Sequence, residues 1–325
     1  MKLKNLFTMF LASAAVTASA QTIVGTAATN KNVVLEELTG KTCGYCPDGH
    51  RIANLIYNNN PGRVILLNIH TGGYASGTPN YRTGWGDNVG SLFNVTGYPT
   101  GAVNRTDFGG GVMHSRGAWT ANASTTLGQS SPVNVGANAA IDLDTRLMTV
   151  DVEAYYTANG SGAFNNLHVI VTQDNIPGPQ SGASFNPTAI LPNGDYNHNH
   201  MVRYAMTPNA GSAIDTVTAM HLYSNQYTHT FPAAINGIAV NLADLQTVVY
   251  ISGANTTSAV ETGAEATMSF TTSTPLGITN QAATVNASLG TVCGTSADVE
   301  MQITNMGNAA LATATFEYIV NGGTP

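Results

Sequence analysis

Cys43-Gly44-Tyr45-Cys46 follows directly on an apolar run and holds two of the three cysteines in the chain. A pair at this spacing has three chemistries open to it: a redox dithiol, half of a metal site, or a small structural staple. As a staple it is weak, because chain entropy gives only about 2 kcal/mol for a loop of roughly four residues, against about 3 for fifteen. As a redox pair it is well spaced. A first cysteine at or before the first turn of a helix meets unpaired N–H groups and the positive end of the helix dipole, which favour a thiolate. A second cysteine one turn on can attack a mixed disulfide.

Two further residues join the pair on this reading. Glu37 lies six residues before Cys43, on the strand that feeds the helix. A carboxyl buried under that helix would have a raised pKa and could exchange protons with a thiol. Pro99, in Val95-Thr96-Gly97-Tyr98-Pro99-Thr100, opens a later strand. Proline is tolerated at a strand's first position, and a cis Tyr98–Pro99 bond would turn backbone toward a bound peptide and bring Tyr98 close to the Cys43 sulfur. The metal alternative uses Cys43, Cys46 and His50, with His70 as a fourth ligand of suitable type. His198 and His200, two apart, would face the same way on a strand and could grip an ion; otherwise they are solvated histidines of an Asn-rich segment.

The elements around these residues alternate. Asn32 to Leu38 reads as a buried strand, Cys43 to Asn58 as a helix with Ile52, Leu55 and Ile56 on one face, and Val64 to His70 as a second strand. Trp85 to Phe93 forms a short helix, Thr100 to Asn104 a third strand, and Arg116 to Leu127 a last helix. Strands separated by helices imply a parallel βαβ core. From Pro132 the helix pattern stops. Short alternating runs such as MTVDVEAYY, LHVIVTQ and TVVYISG describe an antiparallel sandwich.

The compartment favours disulfide chemistry. Lys2 and Lys4, the apolar run Leu6 to Val16 and Ala18-Ser19-Ala20 form a secretory signal cut before Gln21. No later stretch approaches membrane-spanning length. A net charge of -7 without a Lys/Arg cluster argues against nucleic acid and anionic membrane surfaces. The expected organisation is a signal peptide (1–20), an α/β thioredoxin-like domain (21–131), a β-sandwich (132–274) and the start of an Ig-like β domain (275–325). Cys293, in that last region, is expected to pair beyond Pro325.

The order of strand, CxxC helix, strand, helix, proline and strand is that of a thioredoxin-like fold. The run "VVLEELTGKTCGYCPDGHRIANLIY … PGRVILLNIHTGGYA … NVTGYPTGAVNR", with "YNHNHMVRYAM" and "NLADLQTVVYISG", resembles the 28-kDa outer-membrane protein family of Bacteroidota-type bacteria. The resemblance implies an exported protein at the outer membrane, at the cell surface or secreted. Thr42 stands where catalytic thioredoxins have an aromatic residue, and Tyr98 precedes the proline. Two functions follow. One is a thiol-disulfide oxidoreductase acting on disulfide-bearing or thiol envelope proteins, with Cys43 as nucleophile, Cys46 as resolving thiol, Glu37 as proton acceptor and Pro99 presenting substrate. The other is a surface or adhesion protein that keeps the scaffold without turnover. Neither requires a cofactor or a metal.

Overall fold

The computed structural model describes residues 23–272, together with two later strands at 283–288 and 300–305. The signal segment, Cys293 and most of the expected Ig-like region lie outside the described residues. In chain order the first part runs β1 (Val33–Thr39), α1 (Cys46–Asn59), β2 (Val64–His70), α2 (Gly84–Leu92), β3 (Thr100–Val103), β4 (Met113–Ser115) and α3 (Trp119–Leu127). The second part is made of strands: β5 (Val133–Asp142), β6 (Leu147–Tyr156), β7 (Asn165–Gln173), β8 (Ile176–Gly178), β9 (Tyr196–His198), β10 (Met201–Ala205), β11 (Ser212–Ile214), β12 (Leu222–Thr230), β13 (Ala234–Ile235), β14 (Ile238–Ala239), β15 (Leu245–Ser252), β16 (Val260–Glu265) and β17 (Thr267–Thr271). The two later strands, β18 (Ala283–Ser288) and β19 (Glu300–Asn305), pair antiparallel.

β1 and β2 pair in parallel across α1, as strands joined by a helical crossover do. β3 runs antiparallel on the other side of β1, and β4 follows it at the edge. The thioredoxin-like βαβ expected from the sequence is therefore present. Among the described residues, 132–272 do not form a sandwich of their own. Five of their strands extend the same sheet, in the order β16-β15-β7-β10-β2-β1-β3-β4 with β11 on β7. The join is β10, which lies parallel to β2 and antiparallel to β7. The reason is visible in β7, buried along its whole length: a strand covered on both faces belongs in the interior of a sheet. A separate sheet, β12-β6-β5-β17, packs on β7 and β15 through Ala139, Val150, Val152, Val169, Val249 and Ile251. The two-layer packing is real, but one layer is the central sheet.

That sheet coils until its β16 edge reaches β1 and the end of β3. Val260 N–H donates to Asn104 O at 2.8 Å, and a Cβ on Gly263 would lie 2.6 Å from Val34 Cγ2. Inside the coil, Val34, Leu38, Ile65, Leu67 and Tyr250 form one core with Trp85 and Val89 of α2. Outside it, Val33, Leu35, Val64 and Leu66 pack under Ala53 and Ile56 of α1 and Trp119 and Ala123 of α3.

Candidate functional site

α1 begins at Cys46, with Pro47 in its first turn, where a missing N–H costs nothing because that donor has no helical partner. Cys43 lies in the preceding turn rather than in the helix, its N–H donating to Gly40 O at 3.0 Å. The two sulfurs are joined in a disulfide.

Gly49, three residues after Cys46 and so on the same face of α1, lies hard against the sheet. A Cβ at position 49 would collide with Glu37 Oε1 and fall 3.0 Å from Pro99 Cγ. Glu37, Pro99 and the first turn of α1 therefore meet at one point. The Tyr98–Pro99 peptide is cis, as expected. The Tyr98 ring packs against Tyr74 at 5.6 Å and its hydroxyl lies over Gly72. Glu37 is 0% exposed, and neither carboxyl oxygen has a hydrogen-bond partner. Burial pushes its pKa well above the ordinary carboxyl value, partly offset by the Arg116 guanidinium. Arg116 itself bonds Asp48 at 2.6 Å and lies 5.3 Å over the Tyr45 ring.

His50 is a polar neighbour of Glu37, its Nε2 3.8 Å from Oε1. Tyr196 OH accepts from Asn186 Nδ2 and lies 2.9 Å from His50 Nδ1. The tyrosine proton is then free to go to Nδ1, which puts the imidazole proton on Nε2, donating to Thr39 Oγ1 at 2.9 Å. Burial, with His198 and His200 adding to it, pulls the His50 pKa down to about 3, so the ring is neutral. Beyond Tyr196 the same face holds Tyr81, His70 and His198, with the two histidine rings 5.4 Å apart and none of their four ring nitrogens engaged by a side chain.

A segment from the second part of the chain covers the cysteines. Gln180 Nε2 donates to Cys43 O at 3.1 Å and to Gly40 O at 3.2 Å. Ser181 N–H donates to Lys41 O at 2.8 Å. Gly182, at φ 70°, abuts the Gly44 carbonyl so closely that a Cβ would overlap it, and Phe185 packs on Tyr45 at 5.7 Å. Cys43 is left 3% exposed and Cys46 0%. Neither this cap nor Tyr196 was anticipated. The cap has no periodicity, and Tyr196 sits 146 residues from the histidine it bonds.

The residues that zinc would need first are engaged otherwise: the cysteines are in the disulfide, Thr39 and Tyr196 hold His50, and among the described residues there is no group of three or more His, Cys, Asp or Glu placed to hold a metal. His198 and His200 do not face the same way, because His200 takes a left-handed φ of 53°. His198 turns into the aromatic cluster and is buried rather than solvated, whereas His200 lies 5.2 Å from the Tyr57 ring and 3.8 Å from Asp174.

Among solved structures the chain is similar to HBP35 of Porphyromonas gingivalis, at 19% identity over 84% of this chain and 85% of that one, with a TM-score of 0.57. This likeness supports the fold. A domain of the outer membrane lipoprotein Omp28 from the same organism matches at 13% identity over 42% of this chain and 88% of that one (TM-score 0.28). A protein of Agrobacterium tumefaciens matches at 13% identity over 74% and 95% (TM-score 0.42). No curated protein matches, and no helix among the described residues is long and apolar enough to cross a membrane. The model of the family "Outer membrane protein Omp28" matches residues 87–285. The matched span begins after the cysteine pair and takes in the proline loop, the segment over the disulfide and the strands that complete the central sheet. With more than half of its length matched, the chain belongs to the Omp28 family of outer membrane proteins.

Proposed function

We propose that this envelope protein is a thiol-disulfide oxidoreductase acting through Cys43 and Cys46. In the reducing direction the Cys43 thiolate attacks a substrate disulfide, forming a mixed disulfide and releasing one substrate sulfur as a thiolate. Cys46 then attacks the Cys43 sulfur, closes the Cys43–Cys46 bond and releases the second sulfur as a thiolate; both thiolates take their protons from water. Two electrons pass from the dithiol to the substrate, and Glu37 takes the Cys46 proton. Oxidation of a substrate dithiol runs the same steps backwards, with Glu37 returning the proton. Pro99 lines the point where a peptide would lie. The observation that carries this reading is Glu37: a fully buried carboxyl with no partner, under the turn that holds the disulfide, is costly for stability and useful for proton transfer.

One observation favours the rival reading of a scaffold without turnover, namely the cap from Gln180 to Phe185 that leaves Cys43 almost inaccessible. The two readings predict different redox potentials. Equilibration of the full chain in dithiothreitol and glutathione buffers, read by alkylation and mass shift, measures it. A potential between about -270 and -120 mV is expected for an oxidoreductase, and one below about -300 mV would mark a structural bond and overturn the proposal.

A further inference from the structure

On the α2 side of the central sheet, the cleft between the start of α2, β10 and the β13–β14 hairpin has a volume of about 380 Å³, within the roughly 300–1,000 Å³ of small-molecule sites. Arg82, Thr83, Trp85, Arg203, Asn209 and Asn236 are among its lining residues. Arg203 is 3% exposed. Its Nη2 donates to Ile238 O at 3.0 Å and to Ile235 O at 3.4 Å, its Nη1 reaches only the Met201 sulfur at 3.9 Å, and its Nε donates to nothing. Among the described residues no carboxylate lies within ion-pair distance of it. Trp85, 6% exposed, brings a second buried donor, an indole N–H without an acceptor.

The contrast with two other arginines is informative. Arg105, equally buried, is matched by Glu36 in two hydrogen bonds. Arg146 is not paired with a carboxylate, but its Nε and Nη2 both donate to backbone carbonyls. A buried guanidinium with an idle N–H costs free energy unless something supplies the missing acceptor. The α2 N-terminus adds positive potential to the same cleft. The carboxylate of its first turn, Asp87, is already taken by Arg82 and Thr71.

We infer that this cleft binds a small anion, a carboxylate or phosphate group seated between the Arg203 guanidinium, the Trp85 indole N–H and the start of α2. The site is separate from the disulfide and independent of its reactivity. Titration calorimetry of the full chain with sodium phosphate and with disodium succinate, at constant ionic strength made up with chloride, tests it. Saturable one-site binding of phosphate alone identifies a phosphate site, of succinate alone a carboxylate site, and of both a general oxyanion site. Arg203→Gln should weaken that binding about tenfold or more, and Trp85→Phe by a smaller factor. Should Arg203→Gln fail to fold, Trp85→Phe carries the test by itself. Absence of binding by either anion beyond chloride, or a folded variant that binds as tightly as the parent, overturns the inference.

Discussion

Glu36 and Glu37 are consecutive on β1, and the pleat sends them to opposite faces of the coiled sheet. Glu36 points inside. There Arg105 grips it with Nε at 2.7 Å and Nη2 at 2.6 Å, and Tyr250 OH donates to it at 3.3 Å. Both partners in the ion pair are 1% exposed. Glu37 points outside, under α1, with no hydrogen bond at all. Two carboxyls of equal burial on one strand are thus treated in opposite ways. A saturated carboxylate is a structural clasp, here tying β1 to the end of β3 and to β15. An unsatisfied one is a cost to folding, and under the proposed function it is the proton partner of the cysteine pair.

Breaking the clasp should have the largest effect. Arg105→Met leaves Glu36 buried without its cation and removes the donor to Thr256 O, and it should cost about 3–5 kcal/mol in urea unfolding. A loss under about 1 kcal/mol would mean that the inner pair is not a clasp. Filling the gap on the other face should cost less. Gly49→Ala drives a methyl into the Glu37 carboxyl and Pro99, for a loss of about 1–3 kcal/mol. An unchanged stability would show that α1 can lift away from β1 freely.

The smallest effect carries a sign. The Glu37 pKa in the folded protein lies above its unfolded value. Its contribution is therefore fully present below the unfolded pKa and is lost as pH rises through the folded one. Glu37→Gln cannot ionise, so the variant and the parent should match near about pH 4 and the variant should become relatively more stable by about pH 7. A difference that does not change with pH, or that grows toward acid, contradicts the assignment. The buried histidines of the same face act in the opposite sense. Burial holds His50 at about 3 and His198 at about 4, so each takes stability away as pH falls below the ordinary histidine value. Both histidines are present in the Glu37→Gln variant and in the parent, so their effect cancels in the difference.

Much of the first part of the chain was legible in sequence. The strands at 33–39, 64–70 and 100–103 and the helices at 46–59 and 84–92 fall within three residues of where periodicity puts them. Glu37 and Pro99 were legible because a thioredoxin-like order fixes what lies under the CxxC turn. The inner clasp was not, since nothing local joins Glu36 to Arg105, 69 residues away. Nor was the sharing of the central sheet: alternation says which face of a strand is buried, not which strand it pairs with. One signal was there to be used. "LHVIV" in β7 is continuously apolar apart from its histidine, the mark of a strand covered on both faces, unlike the alternating β5 and β6.

The central claim is that Glu37 and the cysteine pair exchange a proton, and the most direct measurement is the titration of the Glu37 carboxyl carbon by 13C NMR in the oxidised and the reduced protein. In the oxidised protein the carboxyl should remain protonated well above the ordinary value of about 4.3, and its titration should move when Cys43 and Cys46 become thiols that share its surroundings. A Glu37 that ionises in the ordinary carboxyl range, or whose titration is the same in both redox states, would contradict the account.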